Sequence, residues 1–315
     1  MVAFRVHAQS MKEPIFHIGY PKTATSWLQS CLFPYIKNAS YIPRGESARS
    51  FIQCSHWDFD PDRVRDKFSK YLDNRLIFSL EGFIGTTHNF GLNGYMTIEH
   101  AQRIKSTYPE ASIVLFIRRQ TDIIASSYAQ YLKGGGTHSI KKFLYHQSLR
   151  NLGGLMLFNW QYFEYHHVIR LYQDLFGSNK VHVFLFEDFL QNKRDFIESF
   201  CSSLGLEADI SQISLFKVNP GYRRIIKWIA LITNRFTERK MPNKYYLLHI
   251  PGWFRFSKKI LLHLNRYKIF GNHLNSRDHL TRNIQKEIQE YYKKSNNILI
   301  SEFNLERIKD FDYPC

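Results

Sequence analysis

Several patterns that would narrow the function of a chain are missing from this sequence. Its four cysteines, Cys31, Cys54, Cys201 and Cys315, lie far apart, with no C-x-x-C pair and no zinc-type histidine pattern. We therefore expect reduced thiols and no bound metal. The first fourteen residues lack the apolar stretch of a secretory signal, and no segment reaches the roughly 18 apolar residues of a membrane span. These absences predict a cytoplasmic protein, either soluble or held peripherally at the inner face of the membrane.

Acidic residues are scarce relative to basic ones. The 27 Asp and Glu stand against 43 Lys and Arg, which gives a formal charge of +16 and predicts an anionic partner. Charge alone does not choose among nucleic acid, a membrane surface, a nucleotide and an acidic polymer. With 315 residues that are 44% hydrophobic, the chain can bury one sizeable core. We expect a single α/β domain over residues 1–315.

A phosphate-binding loop is predicted near the N-terminus, in the sequence IFHIGYPKTATSWLQ from Ile15 to Gln29. An apolar strand reaches Gly19, a polar loop covers Pro21 to Ser26, and a helix begins near Trp27. Backbone N–H groups and the positive end of the helix dipole converge in such a loop, where an anion can sit. The hydroxyls of the loop can add donors to that anion.

The lysine of this loop does not stand where nucleotide triphosphatases have it. In G-x-x-x-x-G-K-[ST] the lysine follows the second glycine, whereas Lys22 comes three residues earlier and Thr25 occupies the usual place. The shifted lysine indicates a different anion, bound without the usual magnesium arrangement. A kinase would also need a metal-binding aspartate after the strand ending at Ile117, where arginines stand instead.

Two more strand ends carry charged residues. A buried-type strand over Ala111 to Ile117 runs into Arg118, and the helix over Thr121 to Lys133 brings Ser126 just over two turns up. The strand from Arg75 to Leu80 ends in Glu81. Because the carboxyl ends of parallel strands share one edge, Glu81 is expected beside the Lys22 loop.

These motifs resemble those of the sulfotransferases that use 3′-phosphoadenosine 5′-phosphosulfate (PAPS). The string YPKTATSWL is similar to the family's PK-[ST]-GT-[ST]-WL loop, with Ala24 in place of its glycine, and IRRQTDIIASSY is similar to its 3′-phosphate motif. The likeness covers most of the chain but is specific only in these two motifs. It implies a P-loop-type three-layer α/β/α fold with a mostly parallel sheet and a helical elaboration towards the C-terminus.

The resemblance also implies roles for individual residues. Catalysis would rest on Lys22, which neutralises the leaving nucleotide, and on Glu81 as the base, with His88 as the reserve base. The nucleotide would be held by the loop, by Trp27 near the adenine and by the 3′-phosphate pair, which gives the set Lys22, Thr23, Ala24, Thr25, Ser26, Trp27, Arg118 and Ser126. The backbone at Ala24 could be right-handed, or left-handed with mild strain.

The acceptor and the oligomeric state stay open. A glycan, a glycolipid or a small hydroxyl or amine compound are all possible acceptors, and a carbohydrate or glycolipid is favoured. The alternatives are a P-loop kinase and a non-catalytic binder of polyanions or membranes, and nucleic acid is not the expected partner. From Lys217 to Lys286 there are sixteen Lys and Arg against two acidic residues. This aromatic-rich segment is predicted either to bind an anionic membrane or polyanionic acceptor, or to be a solvated face.

Overall fold

The computed structural model describes residues 12–71, 74–85, 94–145, 157–209, 211, 213, 221–238 and 244–315. Within these ranges five strands form one sheet in the order β2-β3-β1-β4-β5. All their pairings are parallel, and at the centre Phe16 aligns with Phe78 on one side and with Ile113 on the other. The strands are β1 Ile15–His17, β2 Ala39–Ile42, β3 Arg75–Ser79, β4 Ser112–Ile117 and β5 Val181–Leu185.

Helices follow the strands and cover both faces of the sheet. The α-helices are α1 Thr25–Trp27, α2 Arg44–Phe51, α3 Pro61–Phe68, α4 Thr97–Thr107, α5 Gln120–Lys133, α6 Ile140–Tyr145, α7 Tyr165–Phe176, α8 Phe186–Gln191, α9 Lys193–Ser203, α10 Arg224–Thr233, α11 Trp253–Leu264 and α12 Arg282–Phe303.

The central strand explains why the sheet has two covered faces. Ile15 and Phe16 are fully buried and point to opposite sides, because side chains alternate along a strand. Phe16 belongs to the larger cluster, which includes apolar residues of α4, α5, α7 and α12. Ile15 belongs to a second cluster, formed with α1, α8 and α9. The predicted three-layer α/β/α fold with a parallel sheet is confirmed.

The predicted helical elaboration is present as α10 and α11. These helices pack on each other through a small cluster of Tyr222, Ile226, Ala230 and Leu261. Asn234 anchors them to the end of α5, because its side-chain amide donates to the carbonyls of Leu132 and Gly136, both at 2.9 Å.

All four cysteines are free thiols, as expected. Among the helices in the described ranges, none combines the length and the apolar character needed to cross a bilayer.

Candidate active site

The sheet order reverses direction at β1, because β2 and β3 lie on one side of it and β4 and β5 on the other. In open α/β sheets a ligand binds at such a point, outside the carboxyl ends of the strands. Lys22 follows β1 and Arg118 follows β4, so both border this crevice. A guanidinium nitrogen of Arg118 donates to the Lys22 carbonyl at 3.0 Å. The structure therefore brings together two motifs that are 96 residues apart.

The loop after β1 has a strained backbone. Lys22 and Ala24 both adopt the left-handed conformation, with φ of 69° and 66°. This result decides between the two alternatives for Ala24, whose backbone is left-handed. Residues that carry a Cβ adopt this conformation only at a cost in free energy. Between them, the buried Thr23 donates its hydroxyl to the carbonyl of Tyr20. Strain of this kind collects at ligand-binding sites, and alternating backbone hands aim successive N–H groups at one point.

A neutral histidine supports the loop from below. His17 is fully buried in β1, and its Nδ1 lies 2.7 Å from the Ser79 hydroxyl. Burial lowers the pKa of His17 to about 3, so the ring carries no charge at neutral pH. A Cβ added to Gly19 would lie 2.6 Å from the Nε2 of this ring. Gly19 is therefore needed where the loop leaves the strand, because the backbone passes directly over the imidazole.

Lys22 and Glu81 lie close together at the rim, as predicted. Lys22 keeps an exposed surface, so the desolvation of its ammonium is partial. This desolvation lowers the pKa of Lys22, Glu81 opposes the shift, and Arg118 adds to it. Glu81 opens the short helix that follows β3. Burial raises the pKa of the Glu81 carboxyl, against the opposing charges of Arg44 and Lys22.

The hydroxyl of Thr25 is buried at the start of α1. Among the described residues no group lies within hydrogen-bonding distance of its oxygen, although the hydroxyl is near enough to Glu81 to favour the charged carboxylate. A buried hydroxyl without a partner costs free energy unless a ligand completes it. Thr25 is thus available to an anion held by the loop.

Arg118 is fixed by several contacts at the crevice. Its guanidinium lies over the Phe186 ring at 4.7 Å, and its carbonyl accepts a hydrogen bond from the Tyr165 hydroxyl. Burial lowers the pKa of Arg118, against the opposing charges of Asp122 and Glu187. Ser126 is buried in the second turn of α5. That Arg118 and Ser126 hold one phosphate stays a prediction.

The remaining predicted site residues lie as follows. Ser26 is exposed in α1, and Trp27 is buried against Phe189 with ring centroids 4.9 Å apart. A role for Trp27 at the adenine stays a prediction. His88 lies outside the described residues.

Neighbouring charged residues have structural partners. Arg119 pairs with Asp122 at 2.6 Å and with Asp312 at 3.2 Å. Glu187 accepts hydrogen bonds from the Arg119 N–H at 3.0 Å and from the Tyr313 hydroxyl at 2.8 Å. Of the two adjacent arginines, Arg118 turns to the loop and Arg119 ties the rim to the C-terminal segment.

Two cations near the crevice were missed by sequence reasoning. Arg44 begins α2 after β2, and its charge acts on Glu81 from the side opposite Lys22 in the sheet order. Burial lowers the pKa of Lys133 at the end of α5, and the charges of Lys22 and Lys258 lower it further. The sequence shows each as an ordinary helix-end or surface cation. Only the tertiary fold brings them to one place.

One group of metal-type ligands occurs among the described residues. Donor atoms of Glu164, His166 and His167 lie within 4.8 Å of one another at the start of α7. His166 Nδ1 lies 2.8 Å from the Ser295 hydroxyl, and Glu164 accepts from the Tyr291 hydroxyl at 2.9 Å. These side chains are thus engaged within the protein, and the absence of a metal stays a prediction.

One part of the chain matches the model of a known protein family. Residues 93–210, rather more than a third of the sequence, match the family model described as "Sulfotransferase family". The matched stretch contains Arg118 and Ser126 but neither Lys22 nor Glu81. Comparison with curated proteins gave no match.

Solved structures with a similar fold are also sulfotransferases. One from Alicyclobacillus acidocaldarius has 20% identity and a TM-score of 0.49, over 66% of this chain and 87% of that chain. A mouse sulfotransferase complexed with PAP has 13% identity and a TM-score of 0.45, over 96% of this chain and 89% of that one. At these scores the likenesses carry no weight for this chain's site. The family-model match is confined to residues 93–210, and over that stretch the chain resembles the sulfotransferase family.

Proposed function

We propose that the chain transfers a sulfuryl group from PAPS to a hydroxyl or amine of a carbohydrate or glycolipid acceptor. The family match supports sulfuryl transfer as the class of reaction. The observation that carries the proposal is the hydrogen bond from Arg118 to the Lys22 carbonyl. It unites the 5′-phosphosulfate-type loop and the 3′-phosphate-type motif at a single crevice, as a donor with phosphates at both positions requires.

The residues at the crevice fit such a donor. The loop offers left-handed turns at Lys22 and Ala24 and the buried hydroxyl of Thr25 beside Glu81. Lys22 and Arg118 supply positive charge in partly desolvated surroundings, where charge-assisted hydrogen bonds to phosphate oxygens are strong. Bound there, PAPS would supply the sulfuryl group and leave as adenosine 3′,5′-bisphosphate.

The chain's own residues would divide the work of the transfer. The acceptor oxygen or nitrogen forms a bond to sulfur while the bond from sulfur to the phosphate oxygen breaks. The Lys22 ammonium stabilises the negative charge that grows on that departing oxygen, and the fixed loop N–H groups need no reorganisation to do the same. The proton lost by the acceptor passes to the carboxylate of Glu81.

Glu81 is suited to the role of base by its surroundings. Burial raises the pKa of its carboxyl, which makes the carboxylate a better proton acceptor than a solvated one. Arg44 and Lys22 oppose that shift and so favour the charged form that the base must have. The acceptor would then lie over Glu81, between the carboxyl end of β3 and the start of α2 at Arg44.

The aromatic content of the chain supports the acceptor class. Aromatic residues make up 16% of the chain and can offer ring faces to sugars. In this proposal the acceptor is met in the cytoplasm or at the inner face of the membrane.

The test is transfer of radioactive sulfur from labelled PAPS. The purified chain is incubated with panels of glycans, glycolipids and small alcohols or amines, and labelled products are separated from the donor. We expect label on a sugar-bearing acceptor with the wild type and about 10²–10³-fold slower labelling with Lys22→Ala, whereas the exposed control Lys37→Ala behaves like the wild type. Label that appears only on small alcohols or amines would reject the carbohydrate proposal, and phosphate transfer from ATP in place of sulfuryl transfer would reject the sulfotransferase proposal.

A further inference from the structure

The surface of α10 and α11 exposes an unusual amount of apolar side chain. Thirteen of the 21 exposed large apolar residues in the described ranges lie between Ile225 and Ile269. Trp228 is 62% exposed, Leu247 is 73% exposed and Phe256 is 58% exposed. Soluble chains rarely leave such side chains clustered in water, so a cluster of this kind marks an interaction surface.

Several of these side chains lie in one place at the tip of the two helices. The segment after Lys244 runs beside the end of α10, because the Leu247 N–H donates to the Arg235 carbonyl at 2.7 Å and the Ile250 N–H donates to the Phe236 carbonyl at 3.2 Å. The Trp253 indole then donates to the Thr233 carbonyl at 2.9 Å. Three stretches of chain therefore meet at this tip.

The apolar tip is bordered by exposed cations. Residues 221–238 and 244–270 contain ten Lys and Arg but one acidic residue, Glu238. The residues that we call the docking surface are Ile232, Leu247, Leu248, Ile250 and Phe256, together with the exposed Arg235, Arg255 and Lys259.

We infer that the docking surface binds the face of an anionic lipid bilayer. Apolar and aromatic side chains beside lysines and arginines are the composition of segments that lie in the membrane interface. The apolar groups enter the boundary between headgroups and acyl chains, and the cations contact the anionic headgroups. A soluble polyanion would use the cations but would leave Leu247 and Leu248 in water.

The docking surface is joined to the end of α5, because Asn234 beside it donates to the carbonyls of Leu132 and Gly136. The charge of Lys258, in the second turn of α11, lowers the pKa of Lys133, and so does the charge of Lys22 in the loop. Attachment at the tip of α10 and α11 would thus hold the crevice near the plane of the headgroups. A membrane-bound acceptor could then reach Glu81 without leaving the bilayer.

The test is co-sedimentation of the purified full chain with vesicles. Vesicles of phosphatidylcholine with phosphatidylglycerol are compared with phosphatidylcholine alone. We expect binding to the anionic vesicles only, with an affinity that falls steeply as salt rises. Because each cation near an anionic surface adds about fivefold to affinity, the double variant Arg255→Glu with Lys259→Glu should lose at least about 25-fold.

Matched variants separate the surface from general charge and apolarity. Lys37→Glu with Arg194→Glu reverses two exposed cations associated with the second cluster, on the other face of the sheet, and should bind like the wild type. Leu247→Asn with Leu248→Asn should weaken binding, whereas Trp57→Asn with Leu190→Asn should leave it unchanged. An unchanged thermal midpoint shows that each variant is folded.

Three outcomes would overturn the inference. The first is no binding to anionic vesicles at low salt. The second is equal binding by the Leu247 and Leu248 double variant, together with capture by a soluble polyanion, which would make the surface a polyanion site. The third is a dimer in solution that becomes a monomer in that variant, which would make the surface an interface between two copies. None of these outcomes depends on sulfuryl transfer, so the inference can fail while the proposed function stands.

Discussion

The crevice at the end of β1 and the docking surface on α10 and α11 are both positively charged, but their charges lie in different surroundings. In the crevice, desolvation lowers the pKa of Lys22 and of Arg118. On the docking surface, Arg255 and Lys259 are exposed to solvent. The crevice charges act strongly on one anion at short range, because water screens them little. The charges of the docking surface act collectively and are screened over about 8–10 Å at physiological ionic strength.

The two regions also differ in the packing of the buried residues beneath their charges. The crevice rests on fully buried residues of the sheet, such as Phe16 and His17, which fix the loop. The docking surface rests on the small cluster around Ile226 and Leu261 and leaves its own apolar groups in water. A partly desolvated charge with fixed neighbours suits catalysis, and a fully solvated charge beside apolar groups suits attachment. Single substitutions should therefore be severe in the crevice and graded on the surface.

The largest effect is expected at Glu81. Glu81→Gln keeps the size of the side chain but cannot accept a proton, so sulfuryl transfer should fall by roughly 10²–10⁴ while nucleotide binding is kept. In the wild type the rate should fall as pH drops through the raised pKa of Glu81, because protonation removes the base. Steady-state kinetics against pH measures both effects, with the exposed Glu110→Gln as control. Normal turnover in Glu81→Gln would move the role to His88 or to water.

A slightly smaller loss is expected at Lys22. Lys22→Ala removes the cation beside the departing oxygen, and loss of one such group typically lowers turnover by about 10²–10³. Affinity for adenosine 3′,5′-bisphosphate should fall less, because only interactions that strengthen in the transition state change the chemical step. Single-turnover rates and calorimetric binding constants make the comparison. Equal losses in both would remove the catalytic role from Lys22.

The third effect concerns recognition of the nucleotide. Arg118→Ala and Ser126→Ala should each weaken binding of the 3′-phosphorylated nucleotide, and a charge-assisted bond is worth about 1.5–3 kcal/mol. Affinity for the same nucleotide without its 3′-phosphate should change little. Trp27→Ala should weaken both ligands if the indole contacts the adenine. A uniform loss in Arg118→Ala would show that the 3′-phosphate motif is misassigned.

The smallest effect is a change in stability at the base of the loop. Gly19→Ala would place a methyl group 2.6 Å from the buried His17 ring, and overpacking of this kind costs about 1–3 kcal/mol. Gly45→Ala is the matched control, since its Cβ would meet the Arg49 guanidinium at an ordinary 3.5 Å in α2. Denaturant unfolding should show a lower free energy of unfolding for Gly19→Ala. For Gly45→Ala the free energy of unfolding should be unchanged or higher by about 0.5–1 kcal/mol. Equal stability of the two variants would mean that the His17 ring moves aside.

Much of the crevice could be predicted from short stretches of sequence. The loop around Lys22, the strand that ends at Arg118 and the strand that ends at Glu81 are each visible in a local pattern. Their meeting then follows from the geometry of a parallel sheet, since the carboxyl ends of its strands share one edge.

Other features could not be predicted because they depend on distant parts of the chain or on fine backbone geometry. Arg44 and Lys133 reach the crevice from other elements. The helix predicted to begin near Trp27 continues as a π-helix over Leu28–Leu32, a helix type that the sequence did not specify. The hydrophobic pattern of so short a stretch does not separate a π-helix from an α-helix. The left-handed backbone of Ala24 was one of two open alternatives, because the residue type disfavours it and only the surrounding loop imposes it.

The most direct measurement of the central claim is a thermal-shift comparison of adenosine 3′,5′-bisphosphate with ATP and Mg²⁺. It needs no knowledge of the acceptor and reports on the Lys22 loop and Arg118 together. A ligand that binds only the folded chain stabilises it by about 2.7 kcal/mol at 100 times its dissociation constant. We predict a clear upward shift of the melting temperature with the bisphosphate and little or none with ATP and Mg²⁺. Stabilisation by ATP and Mg²⁺ alone would contradict the account.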